Sequence, residues 1–579
     1  MQAERLCRRL LRQYPGDAPA THLLGLINSN AGNVRDAERF MRKSLQLDSR
    51  VAEFHSNLAN LLRRMGRCEE AATAYRNALK LDPANKPAAI GRIRALAELG
   101  RFADAEKEAR ALTKRIPLDP EAWSALAMTV RDQGRLDEAE ALYRRAVRVG
   151  PGYAAAHHNL GSVLCRLDRA EEALECLDRA REMGVRGYEL EFNLGRTYLQ
   201  LYRFDDAERA FAAAVADNPR ASDAQINLAR VRFMRGDADF ARDIRAAACD
   251  DDRELRALYG IMLRRAGDLA GAENHFRDML AREDSPEVRS ALAEVLHEQG
   301  LPEEARVVVL PAVEARPDDS VIVENVAAIL LACGRATEAM PYIQIQRARF
   351  PHGQGWIAYE ATAARILGMD LYEELYDYDW LARTYDIEAP QGWSSVDELN
   401  SAVLDALNER HRLKVHPLDQ SLRNGSQTAR SMLTDPHPAI RAIVAAFEEP
   451  LQSYRRTIGT TRNHIVSRRN TGRARITGAW SVQLRRDGFH VNHFHPEGWI
   501  SSAYYVSAPE EVRDEERKPG WLKFGEPCFP APGATPERFV QPRPGRLALF
   551  PSYMWHGTNP IKGDEPRTTI AFDALPTLK

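Results

Sequence analysis

Apolar and small residues recur along the first part of the chain with a period of 34. Gly32, Gly66, Gly100 and Gly134 stand 34 apart. The beat passes through Asp168 and Tyr202 to Gly236, shortens to Gly267 and Gly300, and recovers at Gly334. Five residues after each of these ten positions comes an alanine: Ala37, Ala71, Ala105, Ala139, Ala173, Ala207, Ala241, Ala272, Ala305 and Ala339. Eight residues before most of them an apolar residue is followed by a small one, as in Leu24-Gly25, Leu58-Ala59 and Leu160-Gly161. Tyr75, Tyr143, Phe211 and Phe276 follow nine after the beat, and Pro83, Pro117, Pro151 and Pro219 close the pattern. Each period predicts two helices. Glycine suits the left-handed residue that ends the first helix, the small pair lets the helices approach, and proline stops the second. Such a hairpin cannot bury its apolar face alone, so neighbours stack.

The beat is not followed beyond Phe350–Gly353, where aromatics thicken: Trp356, Tyr359, Tyr372, Tyr376, Tyr378, Trp380 and Tyr385. A helix is predicted over Val396–Arg410 with Ser395 as its cap. HPLDQSLRNGSQT, residues 416–428, reads as a loop in which Arg423 and Gln427 could border a site, and a further helix covers 437–458. From residue 471 the pattern changes to short alternating runs with Gly/Pro corners. TGAWSVQLR, GFHVNHFHP, WISSAYYVSAP, GWLKFGEP, RLALFPSYMWH and RTTIAFDAL predict a β-barrel or jelly roll. The charged connection 510–519 reads as a flexible surface loop.

Composition narrows the class. The chain has 579 residues, 44% hydrophobic and 28% charged, with a formal net charge of −2. Several domains are expected, with no global attraction to nucleic acid or to an anionic membrane. No apolar run reaches the roughly 18 residues of a membrane-crossing helix. The first residues lack the apolar centre of a secretory signal. Seven scattered cysteines without a CxxC pair suit a reduced compartment. Cytoplasm is the expected location.

Candidate chemistry concentrates in 488–567. His493 and His495 are one residue apart, His556 follows 61 residues after His495, and Arg567 stands eleven beyond that. A His-x-ligand pair on one strand, a distant His and a nearby base are the parts of a non-haem iron site. Three ligands take one face of an octahedron and leave the opposite positions open. His495-Pro-Glu497 leaves Glu497 as an alternative second ligand, and His490-Val-Asn492 has the same spacing with a poorer donor. Hydrogen-bonded strand histidines are the bland alternative. Thr569 shares a strand face with Arg567. Trp499 and Trp555 read as core or pocket wall.

Two resemblances follow from these residues. Residues 17–351 resemble about ten tetratricopeptide repeats, with Arg92 departing from the Leu position; the first seventeen residues read as a capping helix, and the short period near Gly267 as an irregularity. The resemblance implies a right-handed solenoid whose groove holds a peptide or protein segment. GFHVNHFHPEGWISSAYYV, PGRLALFPSYMWHGTNP with its following Arg, and HPLDQSLRNGSQT resemble the 2-oxoglutarate–Fe(II) oxygenases found fused to such repeats in bacteria. More broadly they resemble the prolyl-hydroxylase-like double-stranded β-helix enzymes, over roughly Tyr378–Leu575. That resemblance implies Fe(II), 2-oxoglutarate as co-substrate and O2, with succinate and CO2 released as a prime substrate is hydroxylated. It implies metal ligands at His493 and His556, with His495 on the position the family gives to a carboxylate. Arg567 would pair with the distal carboxylate of 2-oxoglutarate, joined by Tyr505 and Thr569. Since neighbouring strand residues face opposite ways, Tyr505 rather than Tyr504 is expected to point inward.

The expected architecture is multidomain. An all-α tetratricopeptide solenoid covers 1–351, a helical bridge with flanking helices 352–470, and a mostly-β double-stranded β-helix (jelly-roll) core 471–579. The leading expectation is a dioxygenase acting on a peptide or protein held by the repeats. A small-molecule oxygenase, or a scaffold whose barrel has lost activity, are the alternatives.

Overall fold

The computed structural model describes residues 2–248, 252–411, 416–418, 420–461 and 463–577. Asp419 of the expected loop and Cys249 lie outside them. The chain divides into two compact units, Met1–Thr197 and Tyr198–Lys579.

In the first unit helices pair as the beat predicts, from Ala18–Asn30 with Val34–Leu47 to Ala154–Arg166 with Ala170–Glu182. The first helix, Gln2–Gln13, precedes these pairs. Gly32, Gly66, Gly100 and Gly134 all have φ between 72° and 78°, and Asp168 holds the same conformation at 60°. Gly66 N–H donates to Arg63 O and Arg67 N–H to Leu62 O, which satisfies carbonyls the helix end would leave orphaned. Ala37, Ala71, Ala105, Ala139 and Ala173 are fully buried. A Cβ on Gly25 would meet Met41 Cγ at 2.7 Å, and one on Gly161 would meet Leu177 Cγ at 2.7 Å. Small residues there set the helix spacing.

The second unit continues the repeats and then builds the sheets. The short period holds a helix of only six residues, Arg242–Ala247. One more member of the beat appears at Gly368, where helix Gln354–Leu367 ends with φ 65°.

The strands are β1 Arg383–Asp386, β2 Leu422–Gln427, β3 Ala474–His490, β4 Ile500–Ser507, β5 Leu522–Phe524, β6 Arg538–Val540, β7 Arg546–Pro551, β8 His556–Thr558 and β9 Arg567–Pro576. They form a six-stranded antiparallel sheet, β1-β7-β4-β9-β3-β2, and a three-stranded one, β6-β5-β8. This is the expected double-stranded β-helix.

Three local expectations are corrected. Residues 422–427 form β2 on the edge of β3, with a bulge at Asn424, φ 50°; the strand is hidden in sequence because its buried residues include Gly425 and Ser426. The helix expected over 437–458 is two, Pro438–Ala446 and Glu448–Ile458, because the ring of Pro450 would clash with the carbonyl of Ala446. GFH belongs to the seventeen-residue β3, so His493 and His495 lie beyond the strand's end.

Helix Gln354–Leu367 and the aromatic segment after it are keyed to the sheets. Trp555 Nε1 donates to Thr362 Oγ1 at 3.0 Å, and Trp555 N–H donates to the Tyr376 hydroxyl at 2.9 Å. Tyr553 donates to Leu375 O at 2.6 Å, and Arg365 pairs with Glu537 at 2.7 Å. One apolar core runs from Ala272 to Ala574. Among the described residues no helix is long and apolar enough to cross a membrane.

Candidate metal centre

The end of β3 and the start of β8 bring the histidines together. His493 and His556 exchange backbone hydrogen bonds of 2.8 and 2.9 Å, an isolated bridge past the end of β3. The His495 N–H reaches Ser552 O at 2.9 Å. One ligand atom from each of His493, His495 and His556 lies within 4.8 Å of the others, and the Nε2 atoms of His493 and His495 are 3.3 Å apart. Ligands at right angles on metal–nitrogen bonds of about 2.1 Å would stand roughly 3 Å apart.

The other ring nitrogens fix the tautomer. His493 Nδ1 is 2.8 Å from Val491 O, and His556 Nδ1 is 2.9 Å from Met554 O. A carbonyl only accepts, so both rings carry their proton on Nδ1 and present a bare Nε2. His495 Nδ1 meets Asp573 Oδ1 at 2.7 Å, with the same consequence. Burial, and secondarily the charge of His495, pushes the His493 imidazole down to about 3. Burial likewise holds His556 well below the usual histidine range. Neutral imidazoles are the form that binds metal. Three neutral imidazoles suit a divalent borderline cation, and copper or zinc as well as Fe(II) fits such a set.

These rings open on a cavity of about 400 Å³ whose wall includes Tyr505, Arg567, Thr569 and Asp573. β9 supplies the last three by alternation, together with Ala571. Arg567 is 2% exposed and its Nε has no partner; the Tyr505 hydroxyl is also buried and unpartnered. The guanidinium stacks 5.7 Å from the Tyr505 ring and donates from Nη1 to Gly520 O. Burial draws Arg567 below its usual value and pushes Tyr505 up to about 12. Thr569 Oγ1 donates to Val482 O at 3.4 Å. Tyr504 faces away, donating to Asn400 Oδ1 at 2.7 Å. Two orphaned, buried polar groups in a cavity wall are what a carboxylate ligand would satisfy.

The remaining candidates separate. Glu497 is exposed at the cavity rim and outside the histidine cluster. His490 is held by Ser421 Oγ at 3.0 Å, and Asn492 is turned to Glu526 and Pro527 O. Gln427 lines this cavity, whereas Arg423 lines a different one, of about 590 Å³. Trp499 and Trp555 are buried core residues, 1% and 2% exposed. Ser421 and Asp573 were not foreseen. The period-two face of β9 from Arg567 to Thr569, carried two steps on, points to Asp573; Ser421 has no such signal.

Comparison with known proteins bears on the two parts of the chain. The family described as "Putative 2OG-Fe(II) oxygenase" matches residues 478–573. Tetratricopeptide-repeat families match 56–120, 90–153 and 192–254, and 130–185 and 263–329. No curated protein matches the chain. Among solved structures, a thermophilic TPR protein of Thermus thermophilus is 25% identical, with a TM-score of 0.29, over 32% of this chain and 100% of that one. YrrB, described as a TPR protein with an unusual peptide-binding site, is 24% identical, with a TM-score of 0.25, over 31% and 92%. Yeast Tom70 is 14% identical, with a TM-score of 0.36, over 63% and 97%. The chain is a run of tetratricopeptide repeats that carries a "Putative 2OG-Fe(II) oxygenase" domain at its C-terminus.

Proposed function

We propose that this chain is an Fe(II)- and 2-oxoglutarate-dependent dioxygenase that hydroxylates a peptide or protein side chain presented by its repeats. One observation carries the reading: three unprotonated imidazole nitrogens converge beside a cavity whose wall also holds the buried Arg567, its Nε unpartnered, and the unpartnered Tyr505 hydroxyl. His493, His495 and His556 would hold the metal. When bound, Fe(II) supplies the activation of O2 coupled to oxidative decarboxylation of 2-oxoglutarate. Arg567 would pair with the distal carboxylate and Tyr505 would donate to it, while Thr569 would turn its one hydroxyl proton from Val482 O to the carboxylate, and so fix the co-substrate's orientation. The apolar wall formed by Val482, Leu522 and Phe550 would keep bulk water from that pair.

A second cavity, of about 880 Å³, supports a polypeptide substrate. It shares His493, Phe494 and Pro496 with the first, and its other wall includes Glu324, Trp356 and Tyr359 of the last repeat helices and Phe350 of the turn between two of them. A residue delivered along those helices would reach the open face of the histidines. Seven scattered cysteines without a CxxC pair suit a reducing compartment, so the reading places the protein in the cytoplasm.

The test is turnover. With Fe(II), ascorbate and 2-oxoglutarate the chain should release succinate even without its prime substrate. His556→Ala should abolish the release. Arg567→Ala should raise the 2-oxoglutarate requirement roughly 10- to 100-fold, the value of losing charged hydrogen bonds of about 1.5–3 kcal/mol. A wild-type chain that releases no succinate is a scaffold, and the reading fails.

A further inference from the structure

The three imidazoles are a ligand set without a negative charge, and a divalent cation held by them alone would face three neutral donors. The structure puts a carboxylate one bond behind them. Asp573 Oδ1 lies 2.7 Å from His495 Nδ1, and both side chains are largely buried, 17% and 12% exposed. Ser501 Oγ donates to the same carboxylate at 2.6 Å and is itself 2.8 Å from Ser552 Oγ, with both serines fully buried. Among the described residues the Asp573 side chain has one ion-pair partner, His495. β9 aims it into the cavity on the same face as Arg567 and Thr569. Glycine at 498 belongs to the arrangement, since a Cβ there would strike Ser552 Oγ at 2.2 Å.

We infer that Asp573 is a positioning residue that supplies, through His495, the negative charge that the metal ligands lack. This rests on the metal site proposed above. The carboxylate has two separable effects. As an acceptor it locks the ring orientation and the Nδ1–H tautomer, so that Nε2 points at the metal. As an anion it makes His495 a stronger donor and balances the cation's charge. Outer partners of this kind are worth 10- to 100-fold in metal affinity.

The experiment titrates the full-length chain with Co(II) alone and reads the dissociation constant by calorimetry and the Co(II) absorption bands, with no turnover involved. His556→Ala should eliminate binding. If it binds like the wild type, the metal site itself is wrong. Asp573→Asn keeps the shape and an acceptor oxygen but removes the charge, and should weaken Co(II) by roughly 10-fold or more. His495→Asp places the anion on the metal directly, so adding Asp573→Asn to that variant should cost nothing further. This non-additivity is the mark of two residues acting as a unit. The inference is overturned if Asp573→Asn binds like the wild type while His556→Ala does not, or if it costs the same in both backgrounds. Should Asp573→Asn fail to fold, Ser501→Ala loosens the carboxylate instead. It should weaken binding in the same direction by about 3-fold, within the range of one lost hydrogen bond; unchanged affinity there also overturns the inference.

Discussion

Arg567 is a guanidinium the fold alone does not need. It is buried with its Nε unpartnered, over an unpartnered phenol. A buried charge without a counter-charge costs several kcal/mol, a cost that an apolar side chain of similar volume does not carry. The ligand-free chain therefore carries a liability that a carboxylate would relieve. Arg567→Met should melt at the same temperature as the ligand-free wild type or higher. Added 2-oxoglutarate should raise the melting temperature of the wild type only. A variant that melts well below the wild type without ligand would mean that Arg567 is structural. The same reasoning separates the two tyrosines. Tyr504 spends its hydroxyl on Asn400 at 2.7 Å, and Tyr505 spends its own on nothing.

At the scale of elements, the site depends on how β2 and β3 are clamped. His411 does this with both ring nitrogens, reaching Ser426 Oγ at 2.8 Å and Ser481 Oγ at 3.0 Å. Burial, then the charges of Arg485 and Arg410, pushes this imidazole down to about 4. The folded chain binds the proton less tightly than the unfolded chain, whose histidine titrates near 6.5. Its contribution is complete above about 6.5 and is lost as the pH falls towards 4. The unfolding midpoint in denaturant should fall over that window, and His411→Gln should flatten the fall while lowering stability at pH 7. An unchanged pH slope in the variant would show that other groups carry it.

These elements differ in how plainly the chain announces them. The helical hairpins are legible because the beat fixes both a backbone conformation and a packing position. All ten beat residues have positive φ, including Asp168 and Tyr202, and the ten alanines are buried. Gly368 escaped because no alanine stands five residues beyond it. β2 escaped because a strand that pairs at a sheet edge through glycine and serine has no apolar alternation to read. The histidine cluster was visible as spacing and residue type. Alternation along β9 puts Asp573 on the face of Arg567 and Thr569, but its pairing with His495 was not legible, because that partner is 78 residues away in sequence and only pairing of β9 with β3 and β4 brings them together.

At the scale of the whole chain, within the second unit, the last repeat does not end where the oxygenase begins. Helix Gln354–Leu367 has the repeat's own left-handed stop, yet its Thr362 and Arg365 bond to Trp555, Gly525 and Glu537. Trp555 is next to His556, so the repeat array is one side chain away from the proposed metal. A partner engaged by the final helices would therefore sit against the reactive face. All of this depends on a single cation between three rings. The most direct measurement is iron-edge anomalous diffraction from crystals of the full chain grown without oxygen in Fe(II) and 2-oxoglutarate. The account predicts one iron, bonded to Nε2 of His493, His495 and His556 at roughly 2.1 Å, with a carboxylate of 2-oxoglutarate on Arg567. Iron bound elsewhere, or bound by Glu497 with His495 turned away, would contradict it.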